Sequence, residues 1–244
     1  MELYDLIFKQ TEALYGASSC KIYPYNPDKA WKDVGANQLI MLRDSAYELG
    51  GDNKPAVNYS CVTSSDLVNK DEIYVYGKDL NEIAGSAPFA RIVLIKVKDI
   101  KGADEDDTEP VFRAIQDIDF VKYHVYPEGY MVRTSSESNR EQVRLSKDAI
   151  RKGITFEQVG NTYIKKYKEN PNILAVKMVF LTVDDADYKQ LKDNAKKVGD
   201  ITRTLSKILE GMSTDCNTCG LKSICDEVEG LKELHFGKNA KEFK

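Results

Sequence analysis

The run Ile173–Val183, ILAVKMVFLTV, decides how this chain is read. It carries a single charge, Lys177, and is bounded by Asn170-Pro171-Asn172 before it and Asp184-Asp185 after it. An apolar, β-branched run between turn formers reads as a buried strand, and it is far too short to cross a bilayer. Immediately after it, Tyr188, Leu191, Ala195, Val198, Ile201, Leu205 and Leu209 recur at three- and four-residue intervals, which predicts a long amphipathic helix over Asp185 to Glu210. Before it, a helical pattern from Phe156 to Lys168 is stopped by Asn170-Pro171.

Working back toward the N-terminus, strands are predicted at Ala90 to Ile100, Glu72 to Gly77, Ala56 to Thr63 and Leu39 to Arg43, and another in GYMVRT, Gly129 to Thr134. GSAP and GGDNKP separate the first group as turns. Val111, Ile115, Ile118 and Val121 form a helical stripe, and Arg140 to Lys152 reads as a helix ending at Gly153. Leu3, Ile7 and Leu14 suggest a short first helix; YPYNPDKAWKD, Tyr23 to Asp33, reads as an irregular wrap anchored by Trp31. GADEDDTEP, Gly102 to Pro110, is an acidic loop to which no chemistry is assigned, because adjacent carboxylates repel one another. This order predicts an α+β fold: a mixed or antiparallel sheet, helices packed on one side, and a cysteine-rich C-terminal tail. Three parts are expected: residues 1–30 as helix and wrap, 31–211 as a central domain, and 212–244 as a metal-binding tail.

With 244 residues, 42% of them hydrophobic, the chain can bury a proper core. Its net charge is −4, so it lacks the overall basic footprint that a nucleic-acid backbone demands, and no nucleic-acid partner is expected. MELYDLIFKQ has no basic region leading into an apolar one, so a cytoplasmic protein with no membrane partner is expected.

In such a reducing compartment disulfides are not expected, yet DCNTCGLKSICDEVEG places Cys216, Cys219 and Cys225 within ten residues, out of five cysteines in all. The two-residue gap lets two thiolates share one metal centre. Zinc fits, with His235 as fourth ligand. An iron-sulfur cluster also fits, completed by a remote cysteine such as Cys20 or Cys61. Taken alone, Cys61 sits in a strand pattern and reads as a small buried hydrophobe, and His124 as a sheet-edge or core residue.

Arg140, Arg144, Lys147 and Arg151 fall at i, i+4, i+7 and i+11, one face of the expected helix, with Arg133 just upstream. Such a row suits an anionic ligand through charge-assisted hydrogen bonds, the plain alternative being a solvated charged face.

The order of segments is more telling than any one motif. DEIYVYGKDLNEI, an apolar strand, an acidic loop, a helix, a strand ending in VRTSSE, then GITFEQVGNTYIKKYKENP, VKMVFLTV, a long charged helix and C-x-x-C together resemble the central domain of acetyl-CoA synthase, the β subunit of the carbon monoxide dehydrogenase/acetyl-CoA synthase complex. The resemblance covers Trp31 to Cys219. It implies a role in one-carbon and acetyl-CoA metabolism, partners among carbon monoxide dehydrogenase/acetyl-CoA synthase or corrinoid protein components, and an iron-sulfur centre beginning at Cys216 and Cys219. It also implies coenzyme A on the basic row of Arg133, Arg140, Arg144, Lys147 and Arg151, with Tyr130 in place of the tryptophan expected near Met131. The departures matter as much. Cys225 is out of register with the family's wider spacing, and nothing here matches its fourth cysteine or its nickel-holding C-G-C, so this chain alone is not expected to be a complete acetyl-CoA synthase.

Overall fold

The computed structural model describes residues 3–17, 19–36, 41–98, 109–135, 139–209, 219–228 and 231. Among them the chain runs α1 (Asp5–Thr11), β1 (Cys20–Pro24), β2 (Ala46–Leu49), β3 (Ala56–Thr63), β4 (Glu72–Tyr76), β5 (Phe89–Val97), α2 (Glu109–Tyr123), β6 (Tyr130–Ser135), β7 (Arg140–Ser146), α3 (Lys147–Arg151), α4 (Phe156–Tyr167), β8 (Ile173–Leu181), α5 (Tyr188–Leu209) and α6 (Lys222–Glu227). The fold is α+β. One sheet has the order β1-β4-β8-β5-β3 and is mixed; the other, β2-β7-β6, is antiparallel throughout.

β8 sits at the centre of the larger sheet, as its apolarity requires. It pairs antiparallel with β5 and parallel with β4. Tyr59, Ile92, Val179 and Tyr74 form one row across β3, β5, β8 and β4. On that side Thr11 of α1 meets the Tyr59 hydroxyl at 2.9 Å. The next row, Ser60, Val93, Met178 and Ile73, faces the other way. There α4 lies so close that a Cβ on Gly160 would fall 2.7 Å from Ile73 Cγ1. Helices therefore cover both faces of this sheet and not one side only, which is why its central strands are buried along nearly their whole length. On the α4 face Phe156 stacks on Phe180 with centroids 4.4 Å apart, a pair worth about 0.5–1.5 kcal/mol beyond its buried area.

Three segments differ from their sequence pattern. Tyr23 and its neighbours belong to strand β1, because β4 offers an open edge whose backbone groups must be paired. Of the strand expected at Leu39–Arg43, Leu39 and Ile40 lie outside the described residues; the small sheet uses Ala46–Leu49 instead, after a 3-10 turn over Arg43–Ser45. Arg140–Ser146 is a strand and not the first half of a helix: Glu141, Val143 and Leu145 are fully buried while the residues between them are half-exposed, a period of two. Helix α3 starts only at Lys147, where the Ser146 side chain accepts from the Asp148 and Ala149 amides. The acidic loop lies largely outside the described residues. No helix among the described residues is long and apolar enough to cross a membrane.

Candidate functional site: an arginine face on the small sheet

Alternation along β7 puts Arg140, Gln142 and Arg144 on the outer face of the small sheet. The register with β6 sets Met131 opposite Arg144, Arg133 opposite Gln142 and Ser135 opposite Arg140. Arg133 thus stands diagonally between Arg140 and Arg144, at the roughly 7–8 Å spacing of diagonal neighbours. A helix would have stacked Arg140 directly beside Arg144. On a strand they are about 13 Å apart, so neither reaches an anion held by the other unless Arg133 bridges them.

The guanidinium groups differ in their commitments. Arg133 is exposed and makes no hydrogen bond or ion pair among the described residues. Arg140 Nη2 donates to the Gly50 carbonyl at 2.8 Å, which also accepts from Gln142 Nε2 at 3.1 Å, while Arg140 Nε is buried without a partner among the described residues. Gly50 has a φ of +68°, and a Cβ there would lie 2.6 Å from that of Ala56, so only glycine places this carbonyl without strain. Arg144 Nε pairs with Glu48 Oε1 at 3.0 Å and Nη1 donates to the Met41 carbonyl at 3.0 Å. Lys147 Nζ donates to the Asp44 carbonyl at 3.0 Å and lies 5.3 Å from the Tyr47 ring centroid, beside a shallow cleft of about 340 Å³ lined also by Arg43, Glu48 and Asp52. Arg151, on α3, pairs with Asp148 at 3.3 Å.

Tyr130 is not available to stack on a ligand. It points to the inner face, is fully buried, and burial holds its hydroxyl well above the usual phenol range. Met131 is its half-exposed neighbour on the arginine face. His124 follows α2 on the surface, its Nδ1 2.7 Å from the Phe120 carbonyl, and is neither at a sheet edge nor in the core.

Of the expected metal ligands, Cys216 and His235 lie outside the described residues. Cys219 and Cys225 flank the start of α6; both are half-buried and in no disulfide. Thiols are the donor type that zinc and iron-sulfur clusters both take. Cys61 does not fit: it is fully buried in β3, and burial pushes its thiol up, away from the thiolate a metal needs. Cys20 is half-buried on edge strand β1. Among the described residues no group of three or more His, Cys, Asp or Glu is placed to hold a metal ion.

The residues that sequence reasoning missed lie under the arginine face. Arg91 and Glu141, 1% and 0% exposed, join the two sheets through Nε–Oε1 at 2.7 Å and Nη2–Oε2 at 2.6 Å. Arg91 also donates to the Lys122 carbonyl and lies 4.3 Å from the Tyr163 ring centroid. A lone arginine inside the apolar run FARIVLIKV was the available signal.

Residues 37–187 match the family described as the CO dehydrogenase/acetyl-CoA synthase complex beta subunit. The chain belongs to that family. The matched span runs from just before β2 to just before α5 and so contains both sheets except β1. The carbon monoxide dehydrogenase/acetyl-CoA synthase subunit alpha of Moorella thermoacetica is 29% identical over 203 residues, covering 81% of this chain and 26% of that protein. The chain thus spans about a quarter of the length of this relative.

Proposed function

We propose that this chain serves acetyl-CoA metabolism as an accessory to a carbon monoxide dehydrogenase/acetyl-CoA synthase complex or its corrinoid components, binding coenzyme A by its phosphates on the face of Arg133, Arg140 and Arg144. The observation that carries this reading is the β6–β7 register, which gathers three guanidinium groups on one outward face in a member of that family. Guanidinium groups suit phosphate through paired, charge-assisted hydrogen bonds. Lys147 and Arg151 extend the same positive stretch toward α3. In this reading residues 31–211 form the cofactor-binding body and 212–244 a metal-binding tail, in a protein of the cytoplasm.

The tail is proposed to hold an iron-sulfur cluster through Cys216, Cys219 and Cys225, with Cys20 or His235 as candidates for the fourth ligand; such a cluster supplies electron transfer. Zinc on the same thiolates would instead make the tail a structural or interaction module. Metal analysis after strictly anaerobic preparation separates the two: iron with sulfide supports the redox reading, and stoichiometric zinc without iron overturns it.

Calorimetric titration of coenzyme A at low salt tests the arginine face. Binding that weakens with added salt and falls at least about tenfold in Arg133→Ala is expected, since losing one partner of a charge-assisted contact costs at least about 1.5 kcal/mol. Absence of heat with any coenzyme A species, or equal affinity in Arg133→Ala, overturns the proposal.

A further inference from the structure

A second, separate opening lies between α2, α5 and β3. It holds about 420 Å³, within the range of small-molecule pockets, roughly 300–1,000 Å³. Val62, Ile115 and Ile118 give it an apolar floor. Lys122, Lys196 and Arg203 line it, Arg203 being paired with Asp200 on its own helix, and Asp119 is the carboxylate in the lining. None of these residues belongs to the arginine face.

Lys122 is the decisive group. It is 7% exposed, and its Nζ lies 4.0 Å from Asp119 Oδ1, too far for a hydrogen bond, with Asp119 itself 48% exposed. Among the described residues the ammonium makes no hydrogen bond; besides Asp119 it faces the Tyr123 ring, 5.3 Å from the centroid, and stands near the buried Glu141–Arg91 pair, whose charges oppose one another. Burial pulls the Lys122 ammonium below the usual lysine range, the Asp119 carboxylate only partly opposing this. A largely buried cation whose nearest carboxylate is half-exposed and beyond hydrogen-bond reach keeps a desolvation cost that an anion brought into the cavity offsets. A second polar group stands in the same lining: the buried Ser60 hydroxyl, beside the Tyr167 phenol. On the opposite wall Gly199 of α5 leaves the space open, for a Cβ there would meet nothing nearer than Asn139 Nδ2 at 3.6 Å.

We propose that this pocket binds a small organic carboxylate, its anionic head on Lys122 and the Ser60 hydroxyl and its apolar body over Val62, Ile115 and Ile118. The site has one deep cation, an apolar floor and a basic rim, so it selects a single anionic head joined to a short flat or aliphatic body. A whole coenzyme A molecule, with its several phosphates, is not what it fits.

Benzoate is a suitable probe, with benzamide as its neutral counterpart and inorganic phosphate as a head group without a body, each titrated into the full chain and followed by ligand-observed NMR and calorimetry. Saturable benzoate binding is expected, with benzamide and phosphate each weaker by about tenfold or more. Lys122→Met should abolish benzoate binding, and because methionine keeps the apolar stem of the side chain the variant should retain a cooperative, native-like melt. Gly199→Leu, which fills the cavity from the facing helix without touching a charge, should also block benzoate. No saturable benzoate binding, equal binding of benzamide or phosphate, or unchanged benzoate affinity in Lys122→Met or Gly199→Leu overturns the proposal.

Discussion

Arg91 of β5 and Glu141 of β7 meet in a two-bonded ion pair buried between the sheets, and Glu141 is flanked on its own strand by Arg140 and Gln142, which point the opposite way. The inner residue of β7 thus fixes the strand that carries the outer arginines. Asn58 of β3 donates to the same carboxylate, and its backbone amide donates to the Asn139 carbonyl at 2.9 Å, so the pair holds the small sheet to the edge of the large one. Removing one partner leaves the other charged and buried, so Glu141→Ala should destabilise by about 3–5 kcal/mol in urea unfolding. The double change Arg91→Met with Glu141→Leu should recover much of that loss. A single variant as stable as the native chain would show that the pair contributes nothing.

Arg144 is held by Glu48, its directly opposed residue on β2, so part of its charge is already spent within the protein. Glu48→Gln keeps the shape and a hydrogen-bond acceptor but removes the opposing charge. If the arginine face binds the phosphates of coenzyme A, this variant should bind severalfold more tightly, with a steeper salt dependence over the screening length of about 10 Å at 0.1 M. Weaker binding in Glu48→Gln would mean that Glu48 serves the face by orienting Arg144 and not by competing for it.

The central strand and the long α5 helix were legible because each has one unbroken period, apolar run or helical stripe. β7 was not. Arg140, Arg144, Lys147 and Arg151 imitate helical spacing, and the inward Glu141, a charge at a core position, breaks the apolar alternation that would have revealed the strand. Its burial depends on Arg91, fifty residues earlier in the chain, and no local pattern encodes that partnership. Tyr130 is named as a stacking ring only through the resemblance, in place of the tryptophan expected near Met131; the register of β6 and its full burial show that it faces inward. The arginines themselves were legible as a group, and Arg133 was seen beside them, but its place between the other two required the strand pairing.

Buried phenols set the alkaline limit of this fold. Tyr4, Tyr15, Tyr59, Tyr130 and Tyr163 are all raised above the ordinary range by burial, and Tyr167 is pushed up to about 12 by the same cause. In the unfolded chain these phenols lose their protons near pH 10. Above that pH the native state binds more protons than the unfolded state, so stability is fully present below about pH 10 and falls as pH rises beyond it. Thermal melts should hold level up to that point and then drop steeply, with the tyrosinate absorbance appearing together with loss of structure. Tyrosinate absorbance from these rings growing in gradually near pH 10, in a chain that stays folded, would refute the expectation.

The cysteine tail is expected to serve function without being needed for the body to fold. Helix α6 docks on α5 through apolar contact: Ile224 is 5% exposed, Leu231 is fully buried, and Lys197 of α5 pairs with Glu227. These contacts are made by apolar and charged side chains and not by the cysteines, and Cys219 and Cys225 are only half-buried. Metal bound by the native state alone should therefore add stability, about 2.7 kcal/mol when present at a hundredfold excess over its dissociation constant, without being needed for the body to fold. The triple change Cys216→Ser, Cys219→Ser, Cys225→Ser should abolish metal binding and leave a cooperative melt lowered by no more than that contribution. Limited proteolysis of the variant should cut first between Gly211 and Gly237, a stretch that lies largely outside the described residues, and leave the two-sheet body intact. An insoluble or globally unfolded variant would instead make the metal part of the structural core, as small metal-stabilised modules require, and would favour zinc over a redox cluster.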